Sequence, residues 1–146
     1  MVLDAVATVL PVAPGGVSTA IKVARTADKV NGAGSATYKF LQAVARGIQN
    51  EKRVLKDMGL TKNTSKMASS TNDKTPINVI PDAIPEGVIY EIKDTKVLSQ
   101  TKQIQGELNA ANAIKYKFKI ITGEKTYISS RIPLDVIVRR SDLGSQ

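Results

Sequence analysis

Two carboxylates and an ammonium group lie close together in the segments Pro81-Asp82 and Glu91-Ile92-Lys93. Side chains alternate along a strand, so Glu91 and Lys93 would share one face and Ile92 the other. If the two segments pair as a hairpin, Asp82 approaches Glu91. Carboxylates held that close repel one another unless a cation lies between them. The trio therefore predicts a divalent metal site, in which the metal activates a water molecule that attacks a phosphate. Lys93 would orient or help deprotonate that water, or stabilise the transition state.

Cysteine and histidine are both absent from the sequence. Without cysteine, disulfides, thiolate zinc sites and cysteine nucleophiles are excluded. Without histidine, Ser-His-Asp triads, paired-histidine ribonuclease chemistry and zinc–histidine hydrolases are excluded as well. Any catalysis must therefore use Asp, Glu, Lys, Tyr or hydroxyl groups. Hard oxygen ligands of this kind suit Mg²⁺, Mn²⁺ or Ca²⁺.

The chain is basic, with 21 Lys and Arg against 13 Asp and Glu and a formal net charge of +8. Phosphates attract Lys and Arg and release counterions when they bind, so this surplus favours a polyanionic partner. A nucleic acid and an anionic membrane both fit that description, and many domains are basic only for solubility. Charge alone does not choose between these alternatives.

The periodicity of the apolar residues changes along the chain from helical spacing to strand alternation, which predicts a mixed α/β core. Gly59 is a plausible helix C-cap, and a turn with Pro85 and Gly87 separates two β-branched segments. The predicted elements are a helix over 37–58, a polar loop over 61–76, a β-hairpin of 77–84 and 88–94, a helix over 100–114, and strands over 115–122 and 134–138.

Residues 1–30 form an apolar, small-residue stretch that Pro11, Pro14, Gly15 and Gly16 interrupt. No positive charge precedes the apolar run, which argues against a secretory signal, and the Pro/Gly centre would break a spanning helix. Two short apolar helices in a hairpin fit better, either packing on their neighbour or helping the protein to enter or cross a membrane. The flexible sequence NGAGS follows. We therefore divide the chain into an apolar helical hairpin, 1–35, and a second domain, 36–146.

The Asp82 and Glu91-Ile92-Lys93 motif, followed at once by a helix, resembles the PD-(D/E)XK nuclease superfamily. The motifs E-x-x-V-L-x-x-M-G-L-x-K-N-T, N-D, I-P-D and E-I-K together resemble the restriction-endonuclease-fold toxin domains at the C-termini of bacterial polymorphic toxins. The resemblance covers about residues 45 to 125. It implies a PD-(D/E)XK core of helix, β-hairpin or sheet, helix and strand, preceded by a small helical N-terminal segment.

The resemblance also implies roles for individual residues. In that superfamily an acidic residue on the preceding helix often completes the metal shell, and Glu51 matches its position. Glu51, Asp82 and Glu91 would then be metal ligands, with Lys93 as the catalytic lysine. Gln103, at the start of the following helix, would position the substrate or the attacking water. The implied cofactor is a divalent metal, Mg²⁺ first with Mn²⁺ or Zn²⁺ as alternatives, and no small-molecule cofactor is expected.

Basic residues near this motif are candidates for contacts to nucleic acid. Lys115, Lys117 and Lys119 fall on one face of the predicted strand, where they form either a phosphate-binding stripe or an ordinary solvated face. Lys102 lies at a predicted helix start, which is a ready phosphate site, and Arg131 could extend the stripe.

The resemblance implies a metal-dependent endonuclease toxin that hydrolyses phosphodiester bonds of DNA or tRNA in target bacteria. Such a toxin would be secreted as the C-terminal part of a larger effector, of the contact-dependent inhibition or Rhs kind, and would act in the target-cell cytoplasm. A cognate immunity protein and a transient membrane contact during uptake are the other expected partners. Two alternatives stay open: a nuclease-like fold that binds nucleic acid or protein without catalysis, and a membrane-active toxin based on residues 1–30.

Overall fold

The computed structural model describes residues 34–144. The predicted N-terminal hairpin lies outside this range, apart from residues 34 and 35, which begin the first helix instead of a flexible joint. The described elements are α1 Gly34–Asp57, β1 Met67–Ser70, β2 Pro76–Val79, β3 Val88–Lys93, β4 Val97–Leu98, α2 Lys102–Ala113, β5 Lys117–Gly123, β6 Tyr127–Ile128, a 3-10 turn Leu134–Val136 and β7 Ile137–Arg140. This order confirms the predicted mixed α/β class.

The central sheet contains three parallel strands in the order β3-β5-β7. The helix α2 makes the crossover between β3 and β5, as parallel neighbours require. In their register, Glu91 lies beside Ile120 and Lys93 beside Thr122. The strand that carries the predicted catalytic residues is therefore an edge strand of this sheet.

Each face of the sheet is covered by one helix. On one face Ile92 and Ile121 pack with Val54 and Leu55 of α1. On the other face Ile89, Phe118 and Ile120 pack with Ile104 and Ala111 of α2. The predicted alternation along β3 is confirmed, because Ile92 packs toward α1 while Glu91 receives a hydrogen bond from α2.

The predicted hairpin of 77–84 and 88–94 is wrong in its strand pairing. β2 pairs with β1 in a separate antiparallel sheet, and residues beyond β2 meet β3 only through an isolated bridge between Ala83 and Tyr90. Pro81 lacks an N–H group and interrupts the strand before it can pair along β3. Asp82 nevertheless lies beside the E-x-K strand, as predicted.

The predicted polar loop over 61–76 contains a strand. β1 pairs with β2 across a turn in which Asp73 accepts hydrogen bonds from the Thr71 hydroxyl and from the Thr75 N–H. Asp73 is thus a turn residue of this hairpin. The hairpin packs closely against α2, where a Cβ on Gly106 would lie 2.7 Å from Cγ1 of Val79.

The first helix has two different halves. Its C-terminal part buries Val54 and Leu55, whereas Phe40, Leu41 and Ile48 are exposed. The helix ends at Asp57, and Gly59 two residues later has a positive φ of 65°, as the C-cap prediction requires. Within residues 34–144, neither helix combines the length and apolarity that a membrane span needs.

Candidate active site

Asp82 lies against the outer edge of β3. The backbone N–H groups of Asp82 and Ala83 both donate to the Tyr90 carbonyl, at 3.0 and 3.2 Å. The Asp82 carboxylate oxygen Oδ2 then accepts the N–H of Ile92 at 2.7 Å. The carboxylate thus takes the place that a neighbouring strand would fill, and this contact fixes it beside the strand that carries Glu91.

Lys62 joins Asp82 to the first helix. Its amine Nζ lies 2.5 Å from Oδ1 of Asp82 and 2.7 Å from Oε1 of Glu51. The loop that carries it is held in place, because the Asn63 N–H donates to the Asp82 carbonyl at 2.8 Å and the Asn63 amide donates to the Pro81 carbonyl at 3.0 Å. We call Lys62, Glu51 and Asp82 the Lys62 group.

Glu91 and Lys93 form an ion pair on the α2 side of β3. The two residues are separated by one position, so strand alternation places both on the same face. The Glu91 side chain is 1% exposed, whereas the Lys93 side chain is 33% exposed. The ion pair therefore joins a partly exposed lysine to a carboxylate that is enclosed by the protein.

The first turn of α2 contributes the remaining polar groups. Thr101 caps the helix by accepting the Ile104 N–H at 3.2 Å, and this cap fixes the position of the first turn. The Gln103 amide donates to Oε1 of Glu91 at 3.0 Å and to Oε1 of Glu107 at 2.9 Å. Glu107 lies four residues, about one helical turn, after Gln103 and is fully buried. Lys93, Glu91, Gln103 and Glu107 are the Lys93 group.

Burial dominates the electrostatics of the Lys93 group. It raises the pKa of Glu91 well above its usual range, against the attraction of the Lys93 ammonium. It also raises the pKa of Glu107 to about 7, against the hydrogen bond from Gln103. Burial disfavours the Lys93 ammonium too, but the Glu91 carboxylate outweighs it and the pKa of Lys93 is raised. Two carboxyl groups thus face one ammonium, and burial works against the ionisation of both.

The Lys62 group is more open. Burial opposes the Lys62 ammonium, but hydrogen bonds and charge from Asp82 and Glu51 outweigh burial and raise the pKa of Lys62. The Lys62 side chain is 37% exposed and that of Glu51 is 24% exposed. Glu51 is therefore closer to water than Glu91, whereas Asp82, at 10% exposure, is mostly enclosed.

The structure brings most of the sequence-predicted catalytic residues together. Asp82, Glu91, Lys93 and Gln103 surround the edge of β3 and the start of α2, and Glu51 reaches Asp82 through Lys62. Within residues 34–144, no three acidic side chains are grouped closely enough to hold a metal ion as they stand.

The predicted nucleic-acid-binding residues are dispersed. Lys115 lies before β5, in a turn with a positive φ of 61°, so it is not part of the predicted strand face. Lys117 is exposed on β5, whereas the Lys119 amine donates to the Asp135 carbonyl at 2.6 Å. Lys102 and Arg131 are exposed.

Two polar residues of the site were not singled out from the sequence. Glu107 follows Gln103 by four residues in a helix, a spacing that could have indicated their contact. Lys62 belongs to the M-G-L-x-K-N-T motif that contributed to the family resemblance, but a loop lysine carries no local signal for its partners. The contacts of Lys62 and the burial of Glu107 both depend on the tertiary fold.

A model of the restriction endonuclease fold toxin 7 family matches residues 47–132. The chain therefore belongs to this family of restriction-endonuclease-fold toxin domains. No curated protein and no solved structure matches the chain. The family supports a nuclease toxin in general, and such toxin domains are generally parts of secreted effectors.

Restriction endonuclease folds generally use divalent metal ions, and the donor chemistry at the β3 edge fits one. The oxygen Oε2 of Glu91 is buried and has no hydrogen-bond partner. On the neighbouring side, carboxylate oxygens of Asp82 and Glu51 converge on a single cation, the Lys62 amine. The oxygen Oε2 of Glu107 is likewise buried without a hydrogen-bond partner. Carboxyl oxygens are the ligand type that hard divalent ions prefer.

Proposed function

We propose that the domain is a metal-dependent endonuclease that hydrolyses phosphodiester bonds of DNA or tRNA. The observation that carries this proposal is the convergence of Asp82, Glu91, Lys93 and Gln103 at one edge of β3. A module that only binds nucleic acid has no need of a buried carboxylate with an unpaired oxygen beside an ammonium, since burying such a group is costly.

Each residue has a distinct role in the proposal. Asp82 and Glu91 hold the metal, with Glu51 as the third ligand from α1. The metal, Mg²⁺ or alternatively Mn²⁺ or Zn²⁺, supplies the activation of water and the neutralisation of charge on the phosphate. Lys93 orients the attacking water or stabilises the charge that develops on the phosphate, because its ammonium pairs with Glu91 and its side chain is 33% exposed. Gln103 positions Glu91 through its hydrogen bond.

A polyanionic substrate agrees with the charge of the chain, which is +8 overall. Exposed lysines lie at the start of α2 and on β5, at Lys102 and Lys117. We propose these two, with Lys115 and Arg131, as phosphate contacts. Lys119 belongs to this set only if substrate binding releases its amine from the Asp135 carbonyl.

The family supports a nuclease toxin carried by a secreted effector in general terms. We propose that residues 36–146 are the toxin domain and that residues 1–35 precede it as an uptake or linker segment. The domain would be delivered as the C-terminal part of a larger secreted effector and act in the target-cell cytoplasm. A cognate immunity protein would neutralise it in the producing cell.

A cleavage assay tests this function. The purified chain should degrade plasmid DNA or total tRNA in Mg²⁺ or Mn²⁺, and EDTA should stop the reaction. Glu91→Gln should remove the activity, whereas Glu124→Gln, at an exposed turn position, should retain it. If the wild-type chain leaves both nucleic acids intact with each of Mg²⁺, Mn²⁺ and Zn²⁺, the domain is instead a non-catalytic binding module.

A further inference from the structure

Lys62 occupies an unusual position for a loop lysine, because two carboxylates from different parts of the chain converge on its amine. Nζ lies 2.7 Å from Oε1 of Glu51 on α1 and 2.5 Å from Oδ1 of Asp82 at the β3 edge. A monovalent ammonium thus bridges the two residues that the proposed function assigns as metal ligands. The amine therefore occupies two oxygens that the proposed metal ion would also use.

We propose that Lys62 is a tethered cation that competes with the metal ion for Glu51 and Asp82 and must swing away when the metal binds. The inference rests on the proposed function, since it presupposes that these carboxylates bind a divalent ion. In this arrangement the protein carries its own counter-ion, which holds the two carboxylates together without metal and lowers the affinity for metal.

The surroundings of Lys62 allow such a movement. Its backbone is anchored beside Asp82 by the two Asn63 hydrogen bonds, so the lysine stays next to the site. Its side chain, by contrast, is more than a third exposed and can move into solvent. The displaced ammonium would remain close to the metal site, where it can pair with a substrate phosphate.

The expected effects follow from charge. Without Lys62, Glu51 and Asp82 lose the cation between them, so the protein in EDTA should be less stable. The same loss removes a competitor, so a divalent ion should bind more tightly. Because two partly exposed ion pairs no longer compete with the metal ion, the affinity for the divalent ion should rise about tenfold.

Calorimetric titration with Mn²⁺ and thermal melts of the full chain test this inference. Lys62→Met should bind Mn²⁺ about tenfold more tightly than the wild type, with a lower Tm in EDTA and a larger rise in Tm when Mn²⁺ is added. Lys66→Met, at an exposed lysine four residues along the chain, is the matched control and should behave as the wild type. Lys62→Gln serves as the second variant if Lys62→Met does not fold.

The outcomes distinguish failure of the tethered cation from failure of the proposed function. Equal or weaker Mn²⁺ binding by the Lys62 variants, with normal binding by the wild type, overturns the tethered cation and leaves the metal-dependent nuclease standing. If none of the proteins binds Mn²⁺, nor Mg²⁺ or Zn²⁺ in the same titration, the proposed function fails and the inference falls with it.

Discussion

The Lys62 group and the Lys93 group both pair a lysine with acidic side chains beside the same strand, but they differ in enclosure and in origin. Lys93 and Glu91 are neighbours on one strand face, so their pairing follows from β3 itself. Lys62 bridges a helix and a loop, so its pairing depends on the whole fold. Glu91 is 1% exposed, whereas Glu51 is 24% exposed. The carboxylate Glu91 is thus more enclosed than Glu51, while the two lysines are about equally exposed, Lys93 at 33% and Lys62 at 37%. We call the Lys93 group the buried half of the site and the Lys62 group the open half.

The largest effect expected is on activity, at Asp82, the member of the Lys62 group that also accepts a hydrogen bond from β3. Asp82→Asn keeps an oxygen that can accept the Ile92 N–H but loses the negative charge. Cleavage should slow by about 10²–10³-fold. Rates with Mn²⁺ should be compared with those of Asp135→Asn, which changes an exposed carboxylate of the 3-10 turn. Similar slowing in both variants would remove Asp82 from its assigned role.

A smaller effect is expected on stability in the buried half. The pKa of Glu107 is raised from 4.5 to about 7, so between these values the folded protein binds more protons than the unfolded chain. Its contribution to stability is complete below about pH 4.5 and is lost as the pH rises through 7. Glu107→Gln cannot ionise, so in EDTA it should be more stable than the wild type at pH 8 by ~1–3 kcal/mol.

Urea denaturation at several pH values between 5 and 8 checks this expectation. The free energy of unfolding of Glu107→Gln should change less with pH than that of the wild type. Glu124→Gln, at an exposed position, should follow the wild-type curve. Parallel curves for Glu107→Gln and the wild type would mean that Glu107 is ionised throughout this range.

The smallest effect is expected in the open half. Glu51→Gln removes one of two partners of Lys62 and leaves Asp82 in place. Because the pair is partly exposed, the free energy of unfolding in EDTA should change by less than about 1 kcal/mol. Urea denaturation of Glu51→Gln and Glu107→Gln under the same conditions compares the two changes in the free energy of unfolding. A fall of more than about 2 kcal/mol in the free energy of unfolding would contradict the weak, partly exposed ion pair that is expected here.

Local sequence patterns predicted the parts of the site that lie within one element. Alternation placed Glu91 and Lys93 on one face of β3. Gln103 came from the family resemblance, as a residue that would position the substrate or the attacking water, and its contact to Glu91 joins two elements. The class of the fold followed from the change in period along the chain. The alternation along β3 and the change in period involve residues that are close in the chain, so both can be recognised in the sequence.

Features that depend on distant contacts were not predictable in the same way. The pairing of β2 with β1 was missed because the residues of β1, Met67–Ser70, are mostly small and polar and resemble a loop. Lys62 was not assigned because nothing near it in the chain indicates that Glu51 and Asp82 converge there. In the sequence Glu107 resembles an ordinary helical glutamate, because its burial results only from the packing of α2 on the sheet.

The most direct test of the central claim compares two lysines at the end of β3. Lys93 pairs with Glu91 in the site, and Lys96 is exposed three residues later. Cleavage of plasmid DNA and tRNA in Mn²⁺ should be slowed at least about 100-fold in Lys93→Met and unchanged in Lys96→Met, with both variants folded by circular dichroism. Wild-type cleavage by Lys93→Met would contradict a catalytic site at the edge of β3.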